Sequence, residues 1–159
     1  MSDSIWSKSR YKLFISRWGI VVNLEAGYKI LSHTALENEM KNKENCIKIT
    51  DGLYVCFDLA PYPDSQQLTA EEQKFVCDGL RLVGSQILAS LQNRCCLITM
   101  RSFQFSDCDI QDETFTASAI QWAGEAFGFP VPEIPVRFDW EQPPCGKYIF
   151  DFSCERYYN

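Results

Sequence analysis

From residue 46 onward, apolar and polar positions alternate in rhythms that identify their elements. In C-I-K-I-T (46–50), Ile47 and Ile49 alternate with Lys48; in L-Y-V-C-F-D-L (53–59), Leu53, Val55 and Phe57 alternate with Tyr54 and Cys56. Both runs read as strands. The Asp51-Gly52 pair between them tolerates the backbone of a two-residue hairpin turn. Pro61 and Pro63 end the second strand, since proline donates nothing to a ladder.

The rhythm then changes to a helical one. Thr69-x-x-Glu72 has the form of a capping box, and Val76, Leu80, Val83, Ile87 and Leu91 follow at helical spacing. This pattern predicts a helix over 69–92. Residues 95–105 (C-C-L-I-T-M-R-S-F-Q-F) return to a strand pattern whose apolar first half suits an interior position. A second helix is predicted over 110–127. There Phe115, Ala119, Trp122 and Ala126 share one face, Ile120, Ala123 and Phe127 widen it, and Gly128 and Pro130 close it. The alternating segments 135–140 and 147–152 make a final hairpin turning around Pro143-Pro144.

The order from residue 46 is β-β-α-β-α-β-β, an α+β arrangement in which a largely antiparallel sheet carries two main helices. A chain of 159 residues has room for one core, so a single domain over 1–159 is expected. Residues 1–45 admit two readings. Y-K-L-F-I-S and G-I-V-V-N-L look like short strands, while Phe14, Trp18, Val21 and Val22 also fit a helical face. Residues 37–45 (E-N-E-M-K-N-K-E-N) read as a solvated loop or helix end.

Charge sharpens the picture. The net charge is −6, yet residues 1–50 hold eight Lys/Arg against five Asp/Glu, and residues 51–159 hold seven against sixteen. An acidic body argues against nucleic acid as the direct ligand, because phosphate contacts need Lys and Arg. It permits a basic protein partner, whose approach it would accelerate, and it equally suits a domain that is acidic only for solubility. The longest apolar runs fall far short of the roughly 20 residues that span a bilayer. The N-terminal M-S-D-S-I-W-S-K-S-R lacks the apolar core of a secretory leader. A cytoplasmic protein with no membrane partner is expected. On that basis the eight cysteines are expected to be reduced thiols, with Cys56, Cys77 and Cys96 as small core residues.

Little of the sequence has the form of a catalyst. The only histidine, His33, lies in the polar context S-H-T-A-L-E and reads as a surface or cap residue. Histidine-dependent nucleophile mechanisms and multi-histidine metal sites have no other imidazole to use. There is no C-x-x-C pair and no glycine-rich phosphate loop. No cofactor is expected.

The exception is Q-F-S-D-C-D-I-Q-D-E-T-F (104–115), which places Asp107, Asp109, Asp112 and Glu113 within seven residues. An EF-hand beginning at Asp107 fails, because its glycine position is Asp112 and its final glutamate position is Ser118. A strand followed by D-x-D also opens phosphatases with an aspartyl nucleophile, but Gln111 stands where those enzymes carry Thr or Val. The plain structural reading makes Asp109 the cap of the following helix, with Asp112 and Glu113 in its first turn facing the positive end of the macrodipole. A capped helix start can also be a recognition surface. Asp139 and Glu141, on the last hairpin, supply a second acidic group.

The run 105–113, the Q-W-A-G-E-A-F-G-F helix end (121–129), the P-V-P-E-I-P-V-R-F-D strand and the closing K-Y-I-F-D-F hairpin resemble small cytosolic immunity proteins. Such proteins are encoded beside bacterial polymorphic toxins. The resemblance spans residues 50–152 and is one of layout. It implies an acidic α+β domain without catalytic residues, whose partner is one cognate toxin, often a basic nuclease. On this reading Asp107, Asp109, Asp112 and Glu113, with Asp139 and Glu141, form a partner-binding rim. The competing classes are a small metal-dependent hydrolase built on the first four carboxylates, and a subunit or regulatory interaction domain.

Overall fold

The computed structural model describes residues 3–153. Along the chain run β1 (Ile5–Leu13), β2 (Ile20–Leu31), α1 (His33–Lys41), β3 (Cys46–Thr50), β4 (Leu53–Phe57) and α2 (Ala70–Leu82). After these come α3 (Gly84–Ser90), β5 (Cys95–Gln104), α4 (Glu113–Phe127), β6 (Val136–Asp139) and β7 (Lys147–Phe150). Five strands form one sheet in the order β1-β2-β5-β4-β3, with β6 and β7 as a separate ribbon. Every pairing is antiparallel except that of β4 with β5, which the α2–α3 crossover makes parallel. The fold is α+β, and from residue 46 the elements follow the predicted order except that the first helix is split into α2 and α3.

The two readings of the N-terminal segment resolve in favour of strands. Ile20, Val22, Leu24 and Ala26 are all essentially inaccessible, and the intervening Val21, Asn23 and Glu25 lie on the opposite face. That is a period of two. Phe14 and Trp18, which suggested a helical face, belong to the turn between β1 and β2. Ser32 caps α1 by accepting from the Ala35 amide at 3.1 Å, and His33 is exposed in its first turn.

The predicted helix over 69–92 is two helices. Its capping box is present: Thr69 accepts from the Glu72 amide (3.1 Å), and Glu72 accepts from the Thr69 amide (2.8 Å). The apolar stripe is buried along its whole length. The break falls at Val83, whose φ of −110° and ψ of 11° leave the helical region. Glycine costs a helix interior about 1 kcal/mol relative to alanine. At Gly84 the stripe turns to follow the β3–β4 hairpin, against Thr50 and Leu53.

Helices α2 and α4 lie parallel on one face of the sheet. They meet so closely at Gly79 that a Cβ there would stand 2.5 Å from the Thr116 carbonyl oxygen. Thr116 also donates to the Phe75 carbonyl at 2.8 Å. Beyond α2, α4 reaches the edge strand β1, where Trp122 Nε1 donates to Ser7 Oγ (3.0 Å) and Gln121 Nε2 donates to the Arg10 carbonyl (2.8 Å). On the opposite face, α1 covers Cys56, Cys95 and Leu97 with Leu36. A 2.8 Å ion pair between Lys29 and Glu39 ties it to β2. Among the described residues no helix covers this second face around Lys8, Arg10, Asn23 and Gln104.

The expectation of reduced thiols needs one correction. Cys46 and Cys56 are opposite one another in the β3–β4 ladder, with Cα atoms 4.1 Å apart, and are joined as a disulfide. So close a cross-strand pair lies within bonding reach. Cys77 and Cys96 are core residues as expected, and burial pushes their thiols up to about 11 and about 12. Cys108 and Cys145 are exposed, and Cys154 lies outside the described residues.

Candidate functional site

Between β5 and α4 the chain does not enter its helix where the carboxylate pattern predicts. The helix begins at Glu113 with Asp112 as its N-cap residue, and no side chain caps it. Asp109 is therefore not the cap. It is exposed and accepts only from Ser106 Oγ, at 3.4 Å. The cause is Gln111, whose side-chain amide pairs with the main chain of Tyr148 on β7, donating at 2.7 Å and accepting at 3.0 Å. This two-point bond ties residue 111 to the β6–β7 ribbon and delays the helix.

The remaining carboxylates have different partners. Asp107 accepts from Gln66 Nε2 at 3.2 Å, at the loop that precedes α2. Glu113 accepts from Gln111 (2.9 Å) and pairs with Lys147 (3.5 Å). Lys147 lies opposite Asp139 in the β6–β7 ladder, so it stands between the two acidic groups. Asp139 is engaged in its own turn, accepting from the Glu141 amide (3.0 Å) and Gln142 Nε2 (3.3 Å), while the Glu141 side chain is exposed. Among the described residues no three His, Cys, Asp or Glu side chains converge as a metal-binding group.

Parallel packing of α2 and α4 brings two helix starts to one end of the molecule. Burial raises the Asp112 carboxyl above its ordinary value, and the charges of Glu72, Glu113 and Glu71 raise it further against a smaller opposing pull from Lys147. Glu71 and Glu72 thus join the cluster. Their places in the first turn of α2 are legible in the sequence, but their proximity to Asp112 is a product of helix packing.

Beside this acidic end lies an apolar corner for which the sequence patterns give no signal. The β1–β2 turn packs on the β6–β7 ribbon through Trp18, whose ring lies 5.4 Å from Tyr148 and 6.5 Å from Phe138. The Tyr148 hydroxyl donates to the Trp18 carbonyl and bonds Ser16 Oγ at 2.8 Å. Phe138 in turn meets Trp140 at 4.5 Å. On this rigid base Phe14, Ile15 and Trp140 are 63%, 57% and 66% exposed. Large exposed aromatic side chains on a fixed scaffold are the residue type that anchors protein interfaces.

Compared with known proteins, the chain matches no family model and no curated sequence. Among the described residues no helix is long and apolar enough to cross a membrane.

The raised Asp112 carboxyl sets a pH dependence. A carboxyl whose folded value exceeds its unfolded one contributes stability below the unfolded value, about 3.8 here, and loses it as pH rises through the folded value. At pH 7 the ionised group is a cost. Asp112→Asn keeps the side-chain shape and removes that charge, and no capping hydrogen bond is at stake. It is expected to raise the urea midpoint at pH 7 by less than about 1 kcal/mol equivalent and to change little near pH 3. A lower midpoint at pH 7 would show that attraction to the α4 amides outweighs the repulsion.

Proposed function

We propose that this protein is a non-enzymatic inhibitor that binds and neutralises a cognate bacterial toxin domain in the cytosol, in the manner of the immunity proteins it resembles. The observation that carries the reading is the gathering of Glu71, Glu72, Asp112 and Glu113 at two parallel helix starts, beside an exposed aromatic corner. Asp107 and Asp109 extend the acidic surface along the preceding loop, and Asp139 and Glu141 extend it across Lys147. Such a surface steers and fits a basic partner. A nuclease is the toxin class whose polyanionic substrate demands that charge.

A toxin silenced inside its own cell calls for a dissociation constant of about nanomolar or tighter, near −12 kcal/mol. An interface of roughly 800 Å² per partner reaches this when a few anchors are well packed. The acidic groups supply approach and register, and Trp140, Phe14 and Ile15 supply the anchors.

The reading expects a toxin domain to be encoded beside this protein's gene, and the test is co-expression of the two. Growth arrest by the toxin alone should be relieved when the two are made together, and they should co-purify as a stoichiometric complex. Continued arrest with both proteins soluble and no complex would overturn the reading.

A further inference from the structure

On the part of the second sheet face that α1 leaves open, we propose a binding cleft for a small ligand bearing a phosphate or carboxylate group, with Arg101 as its receptor. The cleft has a volume of about 750 Å³ and is lined by Lys8, Arg10, Asn23, Arg101, Gln104 and Asp64, among others. That volume lies within the range of small-molecule sites. It is on the opposite side of the sheet from α2 and α4, so it is independent of the acidic end.

Arg101 is placed by a β-bulge. Ser102 pairs with Glu25 and Met100 with Ala26, which leaves Arg101 as the extra residue of β5. Bulges re-aim a side chain in this way and are common beside functional sites. Here the bulge lets Arg101 and Ser102, consecutive in sequence, both line the cleft.

Three strands then hold the guanidinium still. Its carbon lies 3.8 Å from the centroid of the Trp6 ring, and its Nε donates to Glu25 at 2.8 Å. Trp6 can lie flat there because its neighbour is Gly27, where a Cβ would stand 2.7 Å from the ring. Only Nε is engaged: among the described residues neither terminal nitrogen of Arg101 has a hydrogen-bond partner. A stacked, carboxylate-braced guanidinium with its two-pronged edge free is prepared for two oxygens on one centre.

The surroundings support an anion. Lys8 and Arg10 line the same cleft, and among the described residues neither forms an ion pair. They are two of the eight basic residues in the first fifty. On the far wall, the Asp64 carbonyl accepts from Ser102 Oγ (2.7 Å) and Gln104 Nε2 (3.0 Å), fixing the loop. Asp64 itself offers an acceptor for a hydroxyl or amine elsewhere on the ligand.

The probes are pyrophosphate and succinate, titrated separately at constant ionic strength while the Arg101 Nε–H and Trp6 indole N–H resonances are followed by NMR. At least one should give saturable shifts at both resonances. Pyrophosphate alone identifies a phosphate ligand, succinate alone a carboxylate ligand, and both together the shared oxyanion chemistry. Arg101→Lys keeps the charge without the fork and should weaken binding about tenfold or more. If that variant does not fold, the exposed double variant Lys8→Gln/Arg10→Gln should weaken binding severalfold. Absence of saturation below about 10 mM with both probes, or variants that bind like the parent, overturns the site.

Discussion

Trp122→Ala is expected to lower the free energy of unfolding by about 3–5 kcal/mol, a large share of the roughly 5–15 kcal/mol typical of a domain. The indole is fully inaccessible and sits edge-on to Phe127 with ring centres 5.8 Å apart. Its Nε1–H donates to Ser7 Oγ, so truncation opens a cavity and also strips the hydroxyl of its partner on β1. Trp122→Phe separates the two effects. It retains most of the volume and should cost less than half as much as the alanine variant. Urea titration followed by circular dichroism provides the measurement. An alanine variant with the parent midpoint would place the indole at a surface and overturn the packing of α4 on the sheet.

The second large effect is on association. In the fourfold variant Asp107→Asn, Asp109→Asn, Asp112→Asn and Glu113→Gln, shape is kept and four charges are removed. The fold should tolerate this well. Asp109 caps nothing, Asp112 makes no side-chain cap to lose, and the Glu113–Lys147 pair, at 3.5 Å and only partly buried, is worth about 1 kcal/mol or less. Association with the toxin domain should slow about tenfold or more at low salt, measured by stopped-flow fluorescence. The difference should narrow toward 0.1 M salt and above, where screening acts over about 10 Å. Trp140→Ala should behave oppositely, leaving association nearly unchanged and speeding dissociation by an amount worth about 2 kcal/mol or more. Equal association rates across the salt range would reduce the acidic end to two helix starts.

Local rules made most elements legible. Asp51-Gly52 marks its hairpin, Thr69 and Glu72 cap their helix, and the apolar run beginning at Cys95 identifies the interior strand, each through neighbours in the chain. What stayed hidden depended on contacts between distant segments. Gln111 delays α4 because Tyr148 holds it, and no pattern near Asp109 reports a strand forty residues ahead. Glu71 and Glu72 meet Asp112 only because Gly79 lets two helices approach. The β1–β2 hairpin was ambiguous because the turn residues Phe14 and Trp18 are as apolar as its strands. They are apolar because they pack on, or lie exposed beside, a ribbon formed by the last part of the chain.

The position of β5 has a consequence for how the protein is made. Both of its neighbours, β2 and β4, are synthesised earlier, and each begins as part of a hairpin with one ladder edge open. Between the end of β2 at Leu31 and the end of β5 at Gln104 lie about 70 residues, which at roughly 5–20 residues per second take several seconds to translate. Once β4 ends at Phe57, the nascent chain carries two unfinished ribbons whose exposed main-chain groups are templates for wrong pairing. A chain stopped between Phe57 and Cys95 retains both open edges. The late strand that joins the two halves is therefore also the point before which this polypeptide is most exposed to aggregation and to capture by chaperones.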